Sequence, residues 1–108
     1  MATKTVSVIV SGEELARTAR AIKAMAHPIR WRILCFLGNK EFSVNEIIDH
    51  TGASPSSISQ HLTPLRVNNV IVYRRVANKT LYSISDMRTL NLIDAISKSF
   101  CQPDRMSL

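Results

Sequence analysis

Cysteine is scarce in this chain, with two in 108 residues, and so are glycine, with three, and proline, with four. Two cysteines cannot build the disulfide framework on which small secreted domains depend, so they are either inert packing residues or reactive thiols. So few glycines and prolines exclude collagen-like and low-complexity chains. No apolar run approaches the ~20 residues that a membrane span requires. Met1 to Val10 has a lone Lys4, a weak apolar stretch and no small-residue cleavage pattern after it. No signal peptide is read there, and a cytoplasmic protein without a membrane partner is expected. Catalytic constellations are also missing. No cysteine has a sequence-evident histidine partner, no paired carboxylates frame a site and no glycine-rich phosphate loop exists, so an enzyme is not expected.

Acidic residues are absent over one long interval, Asp49 to Asp86, and this absence is informative. The chain carries fourteen Lys and Arg against eight Asp and Glu, a formal net charge of +6. Arg66, Arg74, Arg75 and Lys79 all fall inside the carboxylate-free interval. Such a patch suits a polyanion. The alternative is a chance gap on a solvated face. The length allows one domain with a single core.

Ser11 followed by Glu14 reads as a capping box, and Leu15, Ala19, Ile22 and Ala26 repeat at helical spacing. A first helix is expected over roughly Gly12 to Met25. Pro28 suits the first turn of a second helix with Ile29, Ile33 and Leu37 on one face, stopping at Gly38-Asn39. Ser43 and Glu46 form another box, opening a short third helix that Gly52 closes in the left-handed conformation. Ser54 as N-cap and Pro55 in the first position start a fourth helix, running to about Asn69. The period then changes to two. Ile71 to Val76 and Thr80 to Ile84 read as strands around a turn at Ala77-Asn78-Lys79. Asp86 caps a last helix with Met87, Leu90, Ile93, Ser97 and Cys101 on one stripe. The expected division is an N-terminal arm at 1–10, a domain at 11–102 and a frayed tail at 103–108. This is a mainly α chain with a β-hairpin wing, in the order α-α-α-α-β-β-α of a winged helix-turn-helix.

In the fourth helix Ile58, Leu62 and Leu65 share one face and must pack inward. The opposite face presents Ser56, Gln60 and Thr63, flanked by Ser57 and Ser59. Gln can pair with adenine through two hydrogen bonds, and Ser or Thr can reach several base edges. These five residues are the candidate base contacts. Ser54, Arg66, Arg74, Arg75 and Lys79 are the candidate contacts to the DNA backbone. A generic polar surface would more often carry Lys and Glu in pairs. His61, at the edge of the apolar stripe, reads as a half-buried histidine with a local hydrogen bond. Pro64 removes an amide and should bend or loosen the last turn. Leu15, Ala19 and Ile22 on the first helix, with Leu90, Ile93 and Ile96 on the last, offer more apolar surface than a small core needs. An isologous homodimer interface is the expected use.

The run Ser54-Pro55-Ser56-Ser57-Ile58-Ser59-Gln60-His61-Leu62-Thr63-Pro64-Leu65-Arg66 resembles the recognition segment of the ArsR (arsenic repressor) family. Met25-Ala26-His27-Pro28-Ile29-Arg30-Trp31-Arg32-Ile33-Leu34 is similar to that family's second helix, and Leu81-Tyr82-Ser83-Ile84 to the end of its wing. The resemblance covers roughly Ile22 to Cys101. It implies a homodimer that reads pseudo-palindromic double-stranded operator DNA as a repressor and leaves it when an inducer acts. The metal-sensing members' cysteine pair would fall in Ser43-Val44-Asn45-Glu46, which has no Cys, and Asp86 to Cys101 contains no His. A metal site is therefore not expected, and no cofactor is implied. The placement of Cys35 and Cys101 resembles the branch that senses reactive sulfur species or oxidants, where the equivalent cysteines form a di- or polysulfide bridge that weakens DNA binding. Alternatives are two unrelated thiols in a repressor or anti-silencer without thiol sensing, a metal-responsive repressor, or a winged helix used for protein contacts only.

Overall fold

Ser11 sits in extended backbone and its hydroxyl accepts the amide of Glu14 at 3.1 Å, which starts α1 (Gly12–Met25). A computed structural model describes residues 7–100 of the chain. Most of the 1–10 arm, the 103–108 tail and Cys101 were expectations that fall wholly or partly outside those residues. His27 caps α2 (Pro28–Leu37), its Nδ1 accepting the Ile29 amide at 3.2 Å, and Gly38 ends it with φ of 52°. At α3 (Val44–Thr51) both halves of the capping box form: Ser43 Oγ accepts from the Glu46 amide, and Glu46 Oε1 accepts from the Ser43 amide. Gly52 closes α3 at φ 72°, its amide bonded to the Ile48 carbonyl. A side chain there would be strained, which is why glycine suits the tight turn into α4.

Helix α4 (Pro55–Val67) starts from Ser54, whose Oγ accepts the Ser57 amide at 3.2 Å. It continues through Pro64 instead of ending there. The Pro64 carbonyl is bonded twice, by the backbone and side-chain nitrogens of Asn68 at 3.1 and 2.8 Å, which secures the last turn. Asn69 then turns the chain in the left-handed region at φ 59°. The wing is β2 (Ile71–Val76) and β3 (Lys79–Ile84), and α5 (Met87–Phe100) follows after Asp86 Oδ1 accepts the Thr89 amide at 2.8 Å.

Two features depart from the expected order. A two-residue strand, β1 (Phe42–Ser43), joins the hairpin, so the sheet has three antiparallel strands in the order β1-β3-β2. Lys79 belongs to β3, paired with Val76, so the turn is Ala77-Asn78 alone, with Ala77 at φ 56°. A two-residue hairpin turn demands a left-handed residue, and here alanine supplies it.

The core joins Ile33, Leu34 and Leu37 of α2, Ile47 of α3, Ile58, Leu62 and Leu65 of α4, and Val70 and Ile71 at the start of the wing. Burying each such side chain contributes roughly 1.5–3 kcal/mol. Ile93 of α5 belongs to this core at 3% exposure, which corrects its assignment to a dimer face: its surface is already spent within its own protomer. Helix α1 adds Ala24 and Met25 to the core, with Ala21 half-buried against it, and leaves the rest of its length exposed. Among the described residues no helix is long and apolar enough to cross a membrane.

Candidate nucleic-acid interface

The inner face of α4 fixes its outer face. Ile58, Leu62 and Leu65 are 0, 4 and 0% exposed, and they leave Ser56, Ser59, Gln60 and Thr63 in solvent, with Ser57 half-buried. No charged residue interrupts that surface until Arg66. Thr63 Oγ1 donates to the Ser59 carbonyl at 2.9 Å, and Ser54 Oγ lies 3.4 Å from Ser56 Oγ besides capping the helix. Ser54 therefore presents to an anion a hydroxyl already engaged at the positive end of a helix dipole.

On the wing the structure adds a carboxylate to the charge reading. Arg74, expected on the DNA backbone, is held by Glu41 through two hydrogen bonds, Nε to Oε2 and a terminal nitrogen to Oε1, each 2.6 Å. The hydrogen bond from Arg74 holds the Glu41 carboxyl below its ordinary value, and the same bond raises the guanidinium further. Glu46, facing Lys79 across a polar cleft between α3 and the wing, is also lowered, first by its hydrogen bonds from Ser43 and last by the Lys79 charge. The interval without carboxylates in sequence is thus bordered by two of them in space. Arg75 stays exposed with a 3.4 Å contact to Thr80 Oγ1, and the Arg66 guanidinium lies 5.9 Å from the Tyr73 ring centre, linking α4 to the wing.

His61 is half-buried as expected, and its Nδ1 accepts a hydrogen bond from Arg30 Nε at 3.3 Å. Its ring centre is 4.6 Å from that of His27. Burial first, then the charges of His27 and Arg30, lower its pKa below the ordinary 6.5. Cys35 is exposed on α2 and points toward α5, with Sγ 3.5 Å from Ser97 Oγ, beside a cavity of about 170 Å³ that Leu34, Leu90 and Ile93 help to line. Its expected partner, Cys101, lies outside the described residues. Leu15 and Ile22 are 58 and 54% exposed, Ala19 is exposed, and Leu90 and Ile96 are half-buried. Leu92, not singled out in the sequence, is 47% exposed and joins Ile22, Met25, Trp31 and Ile96 around an apolar groove of about 500 Å³. Its signal was its place one position off the Leu90/Ile93 stripe. Glu41 and Arg30 carried no local signal at all.

Residues 27–71, from the α2 cap to the first residue of β2, match the family described as bacterial regulatory protein, arsR family. The transcriptional activator HlyU of Vibrio cholerae is 32% identical, over 83% of this chain and 83% of its own length. The chain belongs to the arsR family. Its likeness is to transcription regulators and not to enzymes. A structure of HlyU from the same organism aligns at a TM-score of 0.78, covering 85% of this chain and 100% of that one, and its reduced form at 0.75 over 83% and 95%. The biofilm growth-associated repressor of Xylella fastidiosa is 28% identical over 82% of this chain and 78% of its own, and its structure, over 83% of this chain and 92% of that one, gives a TM-score of 0.73. The homodimeric winged helix-turn-helix DNA-binding domain of Mb0332 from Mycobacterium bovis, 26% identical, covers 81% of each chain at 0.77. Within this arsR-family chain, the matched segment contains α3, the Gly52 turn and α4, the parts that together present the charge-free outer face.

Proposed function

We propose that this arsR-family regulator is a homodimeric repressor that reads operator DNA through the outer face of α4. The observation that carries this is that face itself. Ser56, Gln60 and Thr63 stand in solvent with no charged residue among them before Arg66, on a helix anchored by three buried side chains. Lys79 and Arg75 of the wing and Arg66 serve the phosphates, whereas Arg74 serves the fold. The exposed apolar residues of α1 and α5, Leu15, Ala19, Ile22, Leu90 and Ile96 with Leu92 added, pair two copies around a two-fold axis. That symmetry calls for a site with two half-sites about one helical turn apart. Selection from a random duplex pool tests both parts. It should return a two-fold repeat binding two protomers, and Gln60→Ala should cost ~1–3 kcal/mol on it and little on random duplex. A selected sequence without the repeat, or equal losses on both duplexes, contradicts the reading.

The switch we assign to this repressor is a Cys35–Cys101 bridge. Cys35 Sγ faces Ser97 of α5, and the sequence runs on from there to Cys101. Closing a disulfide removes two protons and two electrons from the thiols, which a reactive sulfur species or peroxide accepts. The bond would tie α5 to α2, and so the dimer-forming helix to the support of α4. Moving operator occupancy from almost full to almost empty requires about 5.5 kcal/mol of bias, within reach of a covalent link. Cys35→Ser and Cys101→Ser proteins should bind operator when reduced and stay bound after polysulfide. Release of either variant like the parent rules the bridge out.

A further inference from the structure

Helix α4 has two flanks, and the wing occupies one. Gln60, Pro64 and Asn68 stand at i, i+4 and i+8, so the edge of the outer face that begins at Gln60 continues to Pro64 and Asn68 on the other flank. There α1 and α2 bring Arg20, Lys23 and Arg30 around a cavity of about 230 Å³ that Pro64 and Asn68 also line, and among the described residues no carboxylate lines it. The ion pairs among the described residues are Arg74–Glu41, Arg88–Asp86 and Lys98–Asp94, and none engages these three cations. The acidic residues of α1, Glu13 and Glu14, lie in its first turn, at the far end from Lys23. Arg30 is fixed beside α4 by its bonds to His61 Nδ1 at 3.3 Å and to the Ala24 carbonyl at 3.4 Å, while Arg20 and Lys23 are exposed. A face that served solubility alone would intersperse both signs.

We propose that Arg20 and Lys23, with Arg30 behind them, form a second phosphate-binding wall of the DNA interface, opposite the wing. This rests on the reading of α4 as the helix that enters the major groove. A helix in that groove has a sugar–phosphate strand on each side, and cations on both flanks fix its register without reading sequence. The wing supplies one flank, where Arg74 is paired with Glu41. The α1 side supplies the other with cations that no carboxylate among the described residues pairs with.

The test is an Arg20→Gln/Lys23→Gln variant of the full chain, with Arg88→Gln as control, titrated with a pool-selected duplex and a mixed-sequence duplex across a salt series. Thermal melting checks that the exposed substitutions leave the fold intact. The slope of log affinity against log salt should flatten by about 0.9 for every phosphate that the variant no longer neutralises, by the same factor on both duplexes. Arg88→Gln should keep the parent's slope. If the parent binds with steep salt dependence and the double variant keeps that slope, or loses affinity only for the selected duplex, the second wall is wrong. A parent that binds neither duplex overturns the α4 reading and the wall with it.

Discussion

His61 accepts its hydrogen bond from Arg30 through Nδ1, so the imidazole must be neutral to keep it. A proton on that nitrogen would face a guanidinium and the His27 ring, with Arg20 and Lys23 beyond Arg30 and no carboxylate nearby. The folded pKa therefore lies below that of the unfolded chain, and between the two values the unfolded chain binds more protons. Stability present above about pH 6.5 is lost as pH falls toward the folded value, before Glu41, Glu46 and Asp86, all lowered, begin to titrate. Melting temperatures from about pH 7.5 to 5.5 should fall more steeply in the parent than in His61→Gln, which accepts the Arg30 bond without titrating. Equal pH dependence in the two proteins would contradict this role. That His61 is half-buried was legible from its place beside the apolar stripe. Its partner was not, because Arg30 stands in another helix and no local pattern joins them.

Helix ends were legible because their causes are local: Ser11, Ser43, Ser54 and Asp86 cap from within a few residues, and Gly38 and Gly52 stop helices at positive φ. The strand β1 was not legible. Two residues show no period, and Phe42 and Ser43 become a strand only because Tyr82 and Leu81 arrive beside them. The same arrival brings Glu41 to Arg74, so the wing's ion pair was not legible although its two long strands were, Lys79 apart. Glu41→Gln should weaken the bidentate hold on Arg74 and free a cation at the hairpin. DNA affinity should then rise and its salt slope steepen by about 0.9 for each further phosphate neutralised, as measured by anisotropy titration. An unchanged slope would mean that Arg74 cannot reach the duplex even when released.

Across the whole molecule the surfaces divide by chemistry. One surface carries the neutral outer face of α4 between the wing cations and the α1 cations, and another carries the apolar groove of α1, α2 and α5. Arrangement of this kind is only half visible in a sequence, since periodicity says which residues face outward but not which outward faces adjoin. Leu92 and Arg20 were outward on their own helices, and only packing set them beside Ile22 and Pro64. Whether α4 lies against DNA is tested by an amide-resolved NMR titration of the protein with its pool-selected duplex. The largest shifts should fall on residues from Ser54 to Thr63 and on Arg75 to Thr80 at the wing tip. Shifts confined to the groove of α1 and α5, with the amides of Ser56 to Gln60 unmoved, would contradict it.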